Sequence, residues 1–234
     1  MATCTTCPRT LLPEEADRTA CWPCTRRTRS HLAEIPRHLP LLAASLHRDR
    51  PAPGPIPRRA HGGSRPPARE DVLSLTGPAA PGTIRPGHQA DQDGREPISG
   101  VLATWAEAIA QERGLDRPRH HAPVPTLTTW LEHHLDYAAR RGWWPDFAGE
   151  LRGVVRRCRA ITSTQPRRIP LPAPCTCGAF GLTREDWADW IECQVCERLY
   201  STEEYEARAA AVLPPLHRTA LALIVAAHQQ EEAA

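Results

Sequence analysis

Cys4-Thr-Thr-Cys7-Pro-Arg-Thr-Leu-Leu-Pro-Glu-Glu-Ala-Asp-Arg-Thr-Ala-Cys21-Trp-Pro-Cys24 is the stretch that decides how this chain is read. Two close cysteine pairs stand thirteen residues apart, so that four thiolates fall within 21 residues. Each pair can offer two sulfurs from one tight turn, and the intervening loop can fold back to complete a tetrahedron around one metal ion. The same arrangement returns near the other end of the sequence. Cys175-Thr-Cys177-Gly178 is followed by Cys193-Gln-Val-Cys196, with fifteen residues between Cys177 and Cys193. The Cys-x-Cys half is tighter than the front pairs, and Gly178 can supply the positive φ that such a turn requires.

Eight of the nine cysteines are accounted for in this way. In a reducing compartment closely paired cysteines are metal ligands more often than disulfides, which points to the cytoplasm and to two zinc ions per chain, held by Cys4, Cys7, Cys21 and Cys24 and by Cys175, Cys177, Cys193 and Cys196. Redox-active CxxC pairs and an iron–sulfur cluster are the competing uses of such cysteines; no strand-to-helix context of the thioredoxin kind surrounds them. Cys158, the odd cysteine, lies on the apolar stripe of a predicted helix and reads as a core thiol.

All 29 basic residues are arginine, and the 25 prolines and a mean hydropathy of −0.47 imply that much of the chain is not packed core. A formal charge of +2 gives no strong field for steering toward nucleic acid or a membrane. Two filled sites, each about −2, would turn the balance slightly acidic. No stretch reaches the roughly 18 apolar residues of a membrane-spanning helix.

The expected fold is mainly α with small zinc-stabilised β. Residues 1–30 form an N-terminal zinc module and 31–48 a helical segment with a seam of Leu32, Ile35, Leu39, Leu42 and Leu46, which Pro36 and Pro40 break or kink. Residues 49–99 are a Pro/Gly/Arg-rich linker, relieved by the apolar run Asp71-Val-Leu-Ser-Leu75. Residues 100–163 form a three-helix bundle. Its predicted stripes are Val101, Leu102, Trp105 and Ile109; then Leu127, Trp130, Leu131, His134 and Leu135 on a helix capped by Thr126 and closed by Gly142; then Trp144, Phe147, Leu151, Val154, Val155 and Cys158. The last of these helices also carries Arg152, Arg156, Arg157 and Arg159, read as a solvated face that could otherwise grip phosphate. The histidine pairs His120–His121 and His133–His134 lack the pattern of ligand motifs. Residues 171–213 are a zinc ribbon followed by a helix that Ser201-Thr-Glu-Glu204 opens as a capping box and Pro214-Pro215 ends. Residues 214–234 form a terminal helix.

Three segments resemble a group of actinobacterial and actinophage zinc-ribbon proteins. They are the four front cysteines, Ala122-Pro-Val-Pro-Thr-Leu127 with Trp130, and Glu192-Cys-Gln-Val-Cys-Glu-Arg-Leu-Tyr-Ser-Thr-Glu-Glu-Tyr205. The resemblance implies metal binding and a host of that type, and says little of activity.

Both cysteine sets are complete without water, so neither leaves the open position of a catalytic zinc, and no Ser/His/Asp set, phosphate loop or GxGxxG is present. The sequence therefore reads as a zinc-binding, non-catalytic accessory protein, a regulator belonging to a phage or mobile element. DNA is the first expected partner, contacted by Arg26, Arg27 and Arg29 just after Cys24. A protein-interaction adaptor is the alternative. Arg9, Arg18 and the same three arginines could instead balance the thiolate charge.

Overall fold

The computed structural model of this chain describes residues 2–46, 69–77, 97–119 and 122–232, the side chains of 221, 222 and 224–232 excepted. Most of the expected linker, and His120 and His121, lie outside these residues. Among the described residues the helices are α1 (Trp22–Ser45), α2 (Glu70–Thr76), α3 (Ile98–Arg113), α4 (Val124–His133), α5 (Leu135–Ala138), α6 (Trp144–Thr162) and α7 (Thr202–Glu232). The strands are β1 (Arg168–Pro170), β2 (Leu182–Glu185), β3 (Trp190–Cys193) and β4 (Leu199–Ser201). The chain is mainly helical with one small antiparallel sheet, in line with the expected fold class.

Two compact units result. One gathers Met1–Arg27, Ala139–Gly142 and Pro166–Ala234; the other comprises Thr28–Ala138 and Trp143–Gln165. Both cysteine sets thus belong to the first unit, where the sequence reading had set residues 1–30 and 171–213 apart.

In the first unit the strands follow one another as a meander, β1-β2-β3-β4, with Leu182 opposite Cys193 and Ile191 opposite Tyr200. Leu182, Ile191 and Tyr200 are buried with Cys175 and Cys193 in one small core. The front segment closes by a bridge between Thr3 and Thr10, and by the hydrogen bonds Thr19 donates through its backbone N–H and its hydroxyl to the Ala139 carbonyl (2.9 and 3.0 Å). The capping box forms: the Ser201 amide donates to Glu204 Oε2 at 2.9 Å and the Glu204 amide to Ser201 Oγ at 3.2 Å.

The second unit is packed by the predicted stripes. Val101, Leu102 and Ile109 of α3, Leu127 and Leu131 of α4, and all six stripe residues of α6 are buried. Trp105 packs its ring 5.3 Å from those of Trp143 and Phe147, and its indole N–H donates to Glu150 at 2.8 Å. The helix expected from Thr126 to Gly142 is two helices, divided at His134; Pro123 takes the N-cap position and Pro125 lies in the first turn, so α4 starts three residues earlier than a Thr126 cap would place it.

Pro36 and Pro40 do not divide their helix, and Pro214 and Pro215 do not end theirs. α1 runs continuously from Trp22 to Ser45 with Pro36 and Pro40 inside it. Leu32, Ile35 and Leu42 are fully buried, and three such side chains, each worth about 1.5–3 kcal/mol, offset interior prolines that cost about 3 kcal/mol apiece. α7 likewise continues past Pro214 and Pro215 to Glu232, so residues 202–213 and 214–232 are one helix; the alanines and leucines on both sides are strong helix formers.

Candidate metal centres

The first four sulfurs are brought together by a hairpin and a helix start. The Cys4 amide donates to the Arg9 carbonyl at 2.8 Å, closing the Cys4–Cys7 turn. Cys21 immediately precedes α1 and Cys24 lies in its first turn, so the second pair is presented by a helix end rather than by a free knuckle. Residues three apart share a helix face, and a helix N-terminus favours negative charge, which suits thiolates. Pro23 costs nothing there, because first-turn amides lack intrahelical partners. Glu15, fully buried, caps this start by accepting from the Trp22 amide at 2.5 Å and the Leu12 amide at 2.9 Å.

Cys4 and Cys24 sulfurs lie 3.7 Å apart, as do those of Cys7 and Cys21. In the second set, Cys175 to Cys196 is 3.6 Å and Cys177 to Cys193 is 3.8 Å. A tetrahedron with metal–sulfur bonds of roughly 2.3 Å has sulfur–sulfur edges of about 3.8 Å. Disulfides, at about 2.05 Å, are far shorter. Within each set all four sulfurs lie within 4.8 Å of one another, room for one ion and not for the several irons and sulfides of an iron–sulfur cluster. Each Cys4 set therefore fits a single tetrahedral metal ion.

No family model, curated protein or solved structure matches this chain. Its chemistry is accordingly read from its own side chains.

The second set is built on the sheet. Gly178 takes φ +88° and its amide donates to the Cys175 carbonyl at 2.9 Å, the turn that the sequence required of it. Cys193 ends β3, and the turn after it places Glu197 at φ +56° while the Cys193 amide donates to the Arg198 carbonyl at 3.0 Å. The two sets differ in exposure. Cys4, Cys7, Cys21 and Cys24 are all buried, whereas Cys177 is exposed and Cys196 half-buried.

Crowding splits the acidity of these thiols. Hydrogen bonds from Cys21, Cys24 and Cys7 hold Cys4 far below the usual thiol range, while the hydrogen bond with Cys21, then those with Cys4 and Cys7, push Cys24 far above it. In the second set burial pushes Cys175 up, but hydrogen bonds from the Cys177 backbone and from Tyr200 outweigh it and bring the thiol down to about 6. Burial, together with the hydrogen bonds among the sulfurs, raises Cys196 to about 12. A cation at the centre resolves this conflict by stabilising all four thiolates at once.

Arginines and acids surround the sites in ways the sequence did not disclose. Arg9 pairs with Glu204, and Arg27 donates to Glu192 at 3.0 Å. Arg18 reaches the Ala20 carbonyl at 3.1 Å and Thr25 Oγ1 at 2.9 Å, with its guanidinium 3.9 Å above the Trp22 ring. Arg9, Arg18 and Arg27 are each about 5% exposed or less. Arg27 is thus corrected as a projecting phosphate contact, because its donor faces a carboxylate inside the unit. Arg26 is exposed; Arg29 is exposed and stands 3.7 Å from Glu132. Arg159 is likewise not on a solvated face: it is buried and forked onto Glu34 at 2.6 and 2.8 Å.

Tyr200 was missed by the sequence reading. Its phenol oxygen lies 3.1 Å from Cys175 Sγ and accepts from the Thr176 amide at 3.1 Å. Arg208 of α7 donates to the carbonyls of Pro174 and Cys175, the latter at 2.9 Å, fixing the same turn from the other side. Strand parity within Leu199–Ser201 was the sole sequence signal for Tyr200, and it leaves the face undecided. For Glu15 the cue was an acidic residue ahead of a helix start.

Proposed function

We propose that this protein is a zinc-stabilised, non-catalytic adaptor, in which each Cys4 set holds one Zn²⁺ and the ribbon presents a surface to a protein partner. All-sulfur donor sets at tetrahedral spacing favour zinc among common cellular ions. Four thiolates fill the coordination sphere, so no position remains for a reacting water and the ions serve as scaffold. Thiols kept reduced for this purpose support a cytoplasmic setting. No described helix is long and apolar enough to cross a membrane.

The observation that carries the adaptor reading is the exposure of Phe180, Trp187 and Val195, at 71, 68 and 70%. Phe180 and Val195 flank the ligand turns, since a Cβ on Gly181 would stand 3.4 Å from the Val195 side chain. Large apolar side chains held in solvent by a rigid metal site mark protein-contact surface.

DNA binding is the second reading, favoured by the exposed Arg26 beside Cys24 and by Arg29. With Arg27 engaged internally, two phosphate contacts would give a log–log salt slope of roughly −2.

Elemental analysis of protein purified without added metal tests the zinc assignment: two zinc per chain support it, and one, none or stoichiometric iron overturn it. Partner class is tested by measuring low-salt DNA binding and protein capture side by side. Loss of capture in F180S/V195S with both zincs retained supports the adaptor. Salt-sensitive DNA binding that R26A/R29A abolishes supports the second reading and overturns the first.

A further inference from the structure

In the second unit, a cavity of about 780 Å³ lies where α2 and α6 approach, and Arg69, Arg156 and Arg157 line it together with Asp71 and Glu150. The two carboxylates are already engaged. Asp71 accepts both Nε–H and Nη2–H of Arg69, at 3.2 and 2.7 Å, and Glu150 accepts the Trp105 indole N–H at 2.8 Å. Arg156 and Arg157 pair with no carboxylate among the described residues. The Nε–H of Arg157 is buried and has no hydrogen-bond acceptor there. Arg156 is exposed and Arg157 half-buried, so their outer nitrogens remain open to a ligand, and a ligand acceptor would also satisfy the buried Nε–H.

Gly153 is a second, independent observation. It stands in the interior of α6 and lines the same cavity. Glycine is a poor choice at such a position, and no neighbour demands it, for a Cβ built there meets nothing within 4 Å. What a side chain at 153 would fill is the cavity. Val101 and Ile161 complete an apolar wall beside the guanidinium groups.

We propose that this cavity binds a phosphate group carried on a nucleoside-sized organic moiety. Guanidinium forks match the oxygens of a phosphate, and three arginines against two carboxylates leave the cavity net positive, with Arg156 and Arg157 the pair still open to an anion. The volume is several times that of a lone phosphate and falls within the range of small-molecule sites. The apolar wall and the open helix backbone at Gly153 receive the organic part. Such phosphates occur both in free nucleotides and in nucleic-acid strands, and both carry the chemistry recognised here. Neither a zinc ligand nor Arg26 lines the site.

The test is calorimetric titration of the full-length, zinc-loaded protein at low salt with pyrophosphate, a nucleoside 5′-diphosphate and a twelve-residue single-stranded oligonucleotide. The diphosphate is expected to bind at least tenfold more tightly than pyrophosphate, with pyrophosphate competing for it. R156Q/R157Q is expected to weaken both at least tenfold, and G153L to weaken diphosphate binding at least tenfold by projecting a side chain into the cavity from α6, with helical circular dichroism and zinc content unchanged. Oligonucleotide binding that G153L removes assigns the phosphate to a strand; diphosphate binding without it assigns a free nucleotide. No binding of any of the three probes, or binding that survives both G153L and R156Q/R157Q, overturns the proposal. If the double variant fails to fold, G153L alone decides, since its new side chain meets open space.

Discussion

The Tyr200 hydroxyl sits 3.1 Å from Cys175 Sγ while accepting the Thr176 amide, and with the Thr176 hydroxyl, 3.0 Å away, donating to it as well, its own proton goes to the sulfur. A hydrogen bond onto a ligating thiolate disperses its charge and fixes its direction. Tyr200 is therefore a positioning residue for the second metal centre, anchored by β4 in the same small core as the ligands. Tyr200→Phe should weaken metal binding at that centre about tenfold, the lower end of the usual effect of outer-shell partners. Competition with a chromogenic chelator will read this. The prediction fails if the two centres weaken equally or neither changes.

Exposure should separate the two centres kinetically. Cys177 is exposed and Cys196 half-buried, whereas every ligand of the first set is buried. Metal release to a strong chelator should be biphasic, with one ion per chain in each phase. Cys177→Ser should remove the fast phase and Cys24→Ser the slow one. A single phase releasing both ions would show that exposure does not govern release.

The Glu34 fork onto Arg159, with His38 Nε2 a further 3.0 Å contact, is the chief buried ionic cluster of the second unit. Burial would raise the Glu34 carboxyl, yet hydrogen bonds from Arg159 and His38 outweigh it and hold the group below its ordinary value. Glu34→Gln leaves a buried guanidinium without its counter-charge and should cost about 3 kcal/mol at neutral pH. A lowered carboxyl contributes stability that is fully present above the unfolded value, near 4.3, and is lost as pH falls through the folded one. The gap between wild type and E34Q, followed by tryptophan fluorescence in denaturant, should therefore close as pH falls below about 4.5. A gap that stays constant down to pH 3 would exclude the ionic contribution.

Cys158 gives a prediction about reactivity. Burial pushes its thiol up to about 11, and its side chain is fully enclosed on the α6 stripe. After chelation, a disulfide reagent should react promptly with eight cysteines and reach the ninth only in denaturant. Prompt reaction of all nine would mean that the second unit opens when the metals leave.

The cysteine sets were legible in the sequence because metal ligation is locally encoded: each pair lies within four residues and its spacing is its geometry. The stripes of α3, α4 and α6 were legible for a similar reason, since 3.6-residue periodicity exposes a buried face. Arg9 with Glu204 and Arg27 with Glu192 were not. Those partners are 195 and 165 residues apart, and nothing local distinguishes an arginine destined for a buried pair from one left in solvent. Reading the prolines as helix breaks failed in the opposite way, by giving a local penalty more weight than the packing that opposes it along α1.

Because the first unit draws on both Met1–Arg27 and Pro166–Ala234, its parts leave the ribosome far apart in time. Cys4, Cys7, Cys21 and Cys24 need only one another to capture an ion, so the nascent chain can load this centre early. Arg9 and Arg27 must then wait for Glu204 and Glu192, which follow after well over a hundred further residues, some ten seconds or more of translation. Throughout that interval their guanidinium groups lie beside an early-formed, thiolate-rich and negatively charged knot. The newborn segment thus carries its own electrostatic stand-in for the acids that arrive last.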